Sequence, residues 1–419
     1  MPLYSFLVFL YGWALRLAAP FHAKARKWAD GRKGWRERHR RLKAGLPGGR
    51  QLVWVHCASL GEFEQGRPIM EQLRGLPKPP LILLSFFSPS GYEIRSGYEG
   101  ADAVVYLPLD TPAQANAFLD IWRPDFAIFV KYEFWFNILQ ALQRRHIPIL
   151  LASGLFRPGQ LFFRSWGRPF RRILSGFSHL FVQNQASGAQ LSQIGIRHFT
   201  VAGDTRVDRV RSIAERAPDI PLAAAFCGQS PVLVVGSSWP EDEARLFPYL
   251  NTELPASWKV LLAPHVIKES HLSAIENALQ LKSARYSHLA EGQAAAGARL
   301  LLIDNIGMLS ALYQYGRVAY IGGGFKTGLH NTLEPIAFGL PVLFGPRYHK
   351  FEEARYLVEC GGGFAVQRTA DIAYHMQRLF SEAAYQEAAE NARSYIRAHQ
   401  GASQPTLQYY QRWRSGNLS

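Results

Sequence analysis

The sequence predicts an α/β protein made of two similar halves, each a parallel sheet covered by helices on both faces, with a ligand cleft between them. Three observations carry this. Short apolar runs alternate with helical stretches from Gln51 onward. The alternation pauses in a polar connector that follows Gly203-Asp204-Thr205-Arg206 and ends near Ser230, then restarts at Val232. At 419 residues the chain is also too long for one core. The expected domains are therefore an apolar and basic segment over 1–45, a first α/β domain over 46–205, and a second over 206–419 that includes closing helices.

Residues 2–21 are apolar and aromatic, with Arg16 as their single charge. As a helix, a stretch of about 20 residues extends ~30 Å, just enough to cross a bilayer core. Arg16, Pro20 and this marginal length leave three readings open: a span, a helix lying in the interface, or a helix packed on the body. A secretory signal fits poorly, because no Lys or Arg precedes the apolar stretch and a basic run follows it. That run, 24–43, holds ten Lys or Arg against Asp30 and Glu37, with Trp28 and Trp35 among them. A second cationic stretch, 155–177, holds five Arg and no acid. Together with Arg16 they account for all but one of the formal net charge of +15. Basic residues beside an apolar segment suit an anionic membrane surface, at about 1 kcal/mol per cation, and the positive-inside rule puts the bulk of the chain on the cytoplasmic side. No nucleic-acid recognition motif accompanies the charge, so nucleic acid is not an expected partner. Cys57, Cys227 and Cys360 are odd in number and far apart, which indicates a reducing compartment.

In the first half the strand candidates are Leu52–His56, Leu81–Phe86, Ala103–Tyr106, Phe126–Val130, Ile149–Ser153, His179–Gln183 and Thr200–Ala202. The residues that could carry chemistry follow their carboxyl ends. After the first strand comes His56-Cys57-Ala58-Ser59-Leu60-Gly61-Glu62-Phe63, where Ser59 and Glu62 have the spacing of a helix capping box. Alternatively, Glu62 is a general base on the cleft edge, held ionised by the helix dipole. Next is Lys131-Tyr132-Glu133-Phe134-Trp135. There Glu133 either supports a transition state or is a helix-start carboxylate paired with Lys131. In Gly203-Asp204-Thr205-Arg206, Arg206 either meets a leaving phosphate or is solvated on a turn. Leu155–Phe177 interleaves Arg157, Arg164, Arg168, Arg171 and Arg172 with aromatics. It reads as a surface for a phosphorylated lipid, or as an amphipathic helix with a solvated basic face.

The second half offers strands at Val232–Gly236, Lys259–Ala263, Leu300–Ile303, Arg317–Ile321 and Pro341–Phe344, with Gly363–Val366 a weaker sixth. Within Val318–Pro346 the order is strand, three glycines, a loop, a helix opened by Asn331 and ended at Gly339, and another strand. Asn331 and Glu334 have N-cap and N3 spacing, and such a helix start favours an anion. Gly236-Ser237-Ser238-Trp239, Ala263-Pro264-His265 and Asn305-Ile306-Gly307-Met308 belong to the same edge, so four loops could enclose one nucleotide. Neither a Walker motif nor Gly-x-Gly-x-x-Gly is present, and no His or Asp cluster has metal-ligand spacing.

With these residues assembled, the chain resembles the 3-deoxy-D-manno-octulosonic acid (Kdo) transferases of lipopolysaccharide synthesis. The motifs run in order: His-Cys-Ala-Ser-Leu-Gly-Glu, Glu-Phe-Trp, Gly-Asp-Thr-Arg, His-Asn-Thr-Leu-Glu-Pro and Gly-Pro. The resemblance implies the GT-B fold, two Rossmann-like domains facing across a cleft, with an N-terminal membrane-associated helix. It implies Glu62 as general base, Glu133 and Arg206 as transition-state stabilisers, and CMP held by Pro264, His265, Ile306, Gly307, Met308, Asn331, Thr332, Leu333 and Glu334. It further implies CMP-Kdo as donor, a lipid A precursor as acceptor, no cofactor or metal, and a place on the inner membrane. The chain departs from the family in having Pro264-His265 where Pro-Arg-His is common, Met308 where Glu is common, Lys131 where an acid is common, and Ser88–Tyr92 where the segment is usually Thr-rich. Two other readings are a nucleotide-sugar epimerase of the same fold, which needs no lipid surface, and a non-catalytic adaptor for anionic lipid.

Overall fold

The computed structural model describes residues 2–289, 297–326 and 328–417. It divides into two compact units, Met1–Arg209 with Gly401–Ser419, and Val210–Gln400. The first contains strands β1 (Leu52–Cys57), β2 (Leu81–Phe86), β3 (Ala103–Tyr106), β4 (Phe126–Val130), β5 (Ile149–Gly154), β6 (His179–Val182) and β7 (Phe199–Val201). They form one sheet in the order β3-β2-β1-β4-β5-β6-β7, every neighbouring pair parallel.

The unbroken apolar character of these strands follows from their two-sided burial. Leu52 and Trp54 of β1 face one core with Phe118, Leu119 and Trp122, while Val53, Val55 and Cys57 face the other with Phe63, Ile69 and Leu73. A strand with a core on each side has no position for a polar residue until its end. Chemistry is therefore confined to the strand termini and the loops beyond them.

The closing helix Gln404–Arg414 departs from the expected second domain, because it covers the first sheet. Tyr410 and Trp413 pack on Phe126 of β4 at ring distances of 5.3 and 4.8 Å. The Asp208 carboxylate accepts from the Gly401 and Ser403 amides at 2.6 and 2.8 Å. Helical periodicity specifies that a helix has an apolar face, not which sheet receives it.

Residues 1–45 likewise belong to the first unit. In the helices Ala23–Asp30 and Trp35–Ala44, Trp28 and Trp35 are buried rather than facing outward. Arg32 is buried too, its guanidinium 4.2 Å from the Trp28 ring centre, donating to the Leu107 and Phe87 carbonyls at 2.9 and 2.8 Å. Burial pulls its pKa down to about 9. Part of the basic run is thus internal structure. The helix Pro2–Ala18 lies against the body: Tyr4 donates to Asp110 Oδ2 at 2.7 Å, and Gly12 leaves room for Leu109, whose Cδ2 would be 2.6 Å from an added Cβ. Leu3, Phe6, Leu7, Phe9, Leu10, Trp13 and Leu17 remain exposed. Among the described residues no single helix is long and apolar enough to cross a membrane. Pro2–Ala18 and Ala23–Asp30 reach that standard only as a pair bent by 118°.

The second unit has β8 (Val232–Ser238), β9 (Lys259–Pro264), β10 (Ser283–Arg285), β11 (Leu300–Leu302), β12 (Val318–Ile321), β13 (Val342–Phe344) and β14 (Gly363–Ala365), in the order β10-β11-β9-β8-β12-β13-β14. All pairs are again parallel. The edge strand β10 is half-buried and carries Ser, Ala and Arg, so it had no apolar run to announce it. The three glycines after β12 serve close packing as well as turning. A Cβ on Gly322 would lie 2.1 Å from the Ser237 carbonyl oxygen, and Gly324 meets Gly345 backbone to backbone.

Candidate functional site

In the first unit, the carboxyl ends of β1, β4 and β7 bring together residues far apart in sequence. Glu62 lies in the first turn of the helix Leu60–Arg74, half-buried. Its Oε2 accepts from the Ser59 amide at 3.0 Å and from the Ser59 hydroxyl. The capping geometry anticipated from the spacing is therefore real, and the same bonds hold the carboxylate at the sheet edge where a base would act. Lys131 follows β4 with a left-handed φ of 67°, and Ser153 at the end of β5 has 51°. Side chains with a Cβ avoid that region, so strain is stored at this edge. The Lys131 pKa is lowered, first by burial and then by the Arg206 charge, against the opposing pull of Asp204 and Glu62. One patch thus contains Glu62, Lys131, Asp204 and Arg206, with Arg157 in electrostatic reach.

Arg206 starts the helix Arg206–Glu215, partly buried and paired with Asp204 rather than standing alone on a turn. Its Nε and Nη2 contact Asp204 Oδ2 at 2.8 and 2.7 Å, and its amide donates to Asp204 Oδ1 at 2.9 Å. Burial works against the Asp204 charge, yet Arg206 and the Gln65 amide, which donates at 2.9 Å, hold its pKa below the usual value. Sequence reading passed over Asp204, although a carboxylate two residues before an arginine is a signal for such a pair.

Glu133 is 9% exposed and has different partners from those its neighbours suggested. The helix after it begins only at Phe136, and Glu133 is bonded not to Lys131 but to Trp135 Nε1, which donates at 2.6 Å, beside His56 Nε2 at 3.3 Å. A buried carboxylate needs such donors. In Lys131–Trp135, the nearest charge along the chain is displaced by a histidine from another strand.

In the second unit the edge is formed by aromatic rings and backbone. Pro264 ends β9, and the His265 amide donates to the Ser238 carbonyl at 2.9 Å. The His265 ring stacks on Trp239 with centroids 4.3 Å apart and stands 4.6 Å from His330. Trp239 Nε1 donates to His330 Nε2 at 2.9 Å. Burial, helped by His265, lowers the His330 pKa to about 4, consistent with a ring nitrogen kept as an acceptor. From the sequence, Trp239 and His330 figured only as members of longer motifs, Gly236–Trp239 and His330–Pro335, and not as binding residues in their own right.

The helix anticipated from Asn331 is shorter than expected, a single turn at Leu333–Ala337 with Thr332 as its N-cap. Asn331 Oδ1 accepts from the Leu333 amide at 3.1 Å, and Asn331 Nδ2 donates to Glu334 at 2.9 Å. Pro335 has no amide to extend a run of donors, and one turn has little dipole, so an anion here would depend on loop amides. The Thr332 hydroxyl is buried without a hydrogen-bond partner among the described residues. Ile306 is 92% exposed, Gly307 has a φ of 99°, and Met308 Sδ accepts from Asn305 at 2.8 Å. These three residues follow β11 on the same edge.

The Arg/aromatic stretch is two short turns, Leu161–Phe163 and Ser165–Gly167, followed by the helix Arg168–Ser175. Arg157, Arg164, Arg168 and Arg172 are exposed. Arg171 is partly buried and donates to the Phe162 and Arg164 carbonyls. Phe156, Phe162 and Phe177 belong to the core around Phe134 rather than to a surface for acyl chains. Trp166 and Leu161 are the exposed apolar members of the stretch.

Residues 33–209 match the family described as 3-Deoxy-D-manno-octulosonic-acid transferase (kdotransferase). A 3-deoxy-D-manno-octulosonic acid transferase of Bordetella pertussis is 28% identical over 86% of this chain and 87% of its own. One from Aquifex aeolicus is 26% identical over 81% and 89%. Among solved structures, a UDP-GlcNAc 2-epimerase from Neisseria meningitidis bound to UDP-GlcNAc superposes with a TM-score of 0.62 at 15% identity, over 85% of this chain and 98% of that one. The last likeness concerns the fold alone.

Proposed function

Because the chain belongs to the 3-deoxy-D-manno-octulosonic acid transferase family and is a glycosyltransferase of GT-B type, we propose that it moves Kdo from CMP-Kdo to a hydroxyl of a lipid A precursor. The observation that carries this is the convergence of Glu62, Lys131, Asp204 and Arg206 at one sheet edge, inside the segment that matches the family. Glu62 removes the proton of the acceptor hydroxyl, which attacks the anomeric carbon as CMP leaves, and the configuration inverts. Arg206, kept in place by Asp204, and Glu133 stabilise charge that develops during transfer. The second unit binds the cytidine nucleotide through Pro264-His265, Ile306-Gly307-Met308 and Asn331–Glu334. The reaction draws on no metal or resident cofactor, so exhaustive dialysis against EDTA leaves the rate unchanged.

The exposed apolar face of Pro2–Ala18 supports attachment to the cytoplasmic surface of the inner membrane. The outward cations Arg157, Arg164, Arg168 and Arg172 support contact with anionic headgroups or the acceptor's phosphates.

The test is mass spectrometry of a tetraacylated lipid A precursor after incubation with enzyme and CMP-Kdo. The expected result is the mass of one or more added Kdo residues; an unchanged acceptor ends the proposal. Glu62→Gln sharpens the test, because glutamine keeps the capping bonds with Ser59 but cannot accept the proton. Transfer should fall by about 10³-fold or more with CMP affinity unchanged; an active glutamine variant removes Glu62 as the base.

A further inference from the structure

We infer that His56 is a positioning residue for Glu133, holding its carboxylate through one shared proton and so fixing both its place and its charge. The inference rests on the transferase reading of this edge and adds a residue to it. His56 is the penultimate residue of β1 and has no exposed surface. Its ring is anchored on both sides.

The inner nitrogen decides the tautomer. His56 Nδ1 lies 3.2 Å from the Ser85 carbonyl oxygen and 2.8 Å from the Ser85 hydroxyl oxygen. A carbonyl only accepts, so Nδ1 carries hydrogen. The Ser85 hydroxyl oxygen in turn accepts from Trp54 Nε1 at 2.7 Å. With Nδ1 committed to β2, Nε2 is left facing Glu133 Oε2 at 3.3 Å. The Trp135 indole N–H points at both, 2.6 Å from the carboxylate and 3.0 Å from the imidazole nitrogen.

A bare Nε2 against an ionised carboxylate would leave two buried acceptors sharing a single N–H, an arrangement that burial penalises. One proton on the pair removes the conflict, whether it resides on nitrogen or on oxygen. The other titratable groups whose charges couple to the pair are Asp110, Tyr4 and Cys57, and burial is the first cause of a raised pKa in each. In that set His56 is the one group that can bring positive charge to Glu133. Sequence separation hides the link, since 77 positions divide the two residues.

The experiment is a double-mutant cycle in the full-length enzyme with CMP-Kdo and lipid A precursor, measuring kcat, both KM values and the pH profile of kcat for wild type, His56→Gln, Glu133→Gln and the double variant. His56→Gln should lower kcat by about ten- to hundredfold, leave the KM for CMP-Kdo unchanged, and shift the acid limb of the profile. Combined with Glu133→Gln it should cost little more, because the residue it positions is already disabled. Ser85→Ala, which removes one partner of Nδ1 and keeps the ring, should shift the profile in the same direction with a smaller loss. It also serves if His56→Gln lowers the melting temperature. Equal losses from His56→Gln in both backgrounds, or an unshifted profile in both His56→Gln and Ser85→Ala, overturn the inference. An inactive wild type overturns the transferase reading instead, so the two failures are distinguishable.

Discussion

The two sheet edges face the same problem, the presentation of polar groups at the end of buried parallel strands, and they differ in how they meet it. The first unit's edge is dense in ionisable side chains: Glu62 on Ser59, Arg206 on Asp204, Glu133 on His56 and Trp135. The second unit's edge has rings and backbone, with Trp239, His265 and His330 packed together and glycines admitting close main-chain approach. An edge that moves protons needs groups whose charge can change and whose positions are fixed by partners. An edge that cradles a nucleotide needs donors, flat surfaces and room. On the proposed reading, this contrast is a division of labour between the halves, written in their residue chemistry.

The comparison can be broken most forcefully at Gly322. If close backbone approach builds the second edge, Gly322→Ala should destabilise the protein by about 3 kcal/mol, because an added Cβ meets the Ser237 carbonyl and cannot be relieved by a side-chain rotation. Chemical denaturation measures this, and a loss below 1 kcal/mol would contradict it.

Next in size is the Asp204–Arg206 pair. Asp204→Asn should reduce transfer by about 10²-fold by loosening the placement of Arg206, and should also flatten acid sensitivity. Asp204 has a folded pKa below its unfolded value, so its contribution to stability is present above about pH 4 and fades as pH falls through the lower folded value. Melting temperatures between pH 5 and pH 3 should fall more steeply in wild type than in the variant.

The second unit's edge has its own acid response. His330 titrates near 4 when folded and near 6.5 when unfolded. The folded state binds fewer protons in that window, so stability is complete above about pH 6.5 and declines as pH falls toward 4. His330→Gln removes that decline, and an unchanged slope would show that burial does not hold the ring neutral. The smallest effect belongs to Asn331→Ala. It deletes the acceptor for the Leu333 amide and should weaken CMP binding by about 1 kcal/mol, roughly fivefold, without altering kcat at saturating donor.

Much of this architecture was legible from patterns along the chain. The alternation of apolar runs with helices identified both sheets, and the strand-end motifs put Glu62, Glu133, Arg206 and Pro264-His265 at strand ends and the turns and helix starts that follow them. Ser59 and Glu62 were legible down to their bonds, since a capping box is local and fixed by a spacing of three. What escaped were pairings between distant segments: His56 with Glu133, Trp239 with His330, and Tyr410 and Trp413 with Phe126. The edge strand β10 escaped for a different reason. One exposed side removes the apolar signal that a central strand must carry.

The sequence by itself determined the alternation, the two sheets, the apolar N-terminal face and which residue types stand at the strand ends. These depend on short-range periodicity and on the cost of burying polar groups, both written in neighbouring letters. Tertiary structure alone decided which group meets which: that Arg206 is held by Asp204, that Glu133 meets His56 of β1 instead of Lys131, and that the final helix returns to the first sheet. Those choices depend on distances of a few ångströms across chain separations of tens to hundreds of residues, and only the packed strands and helices set such distances.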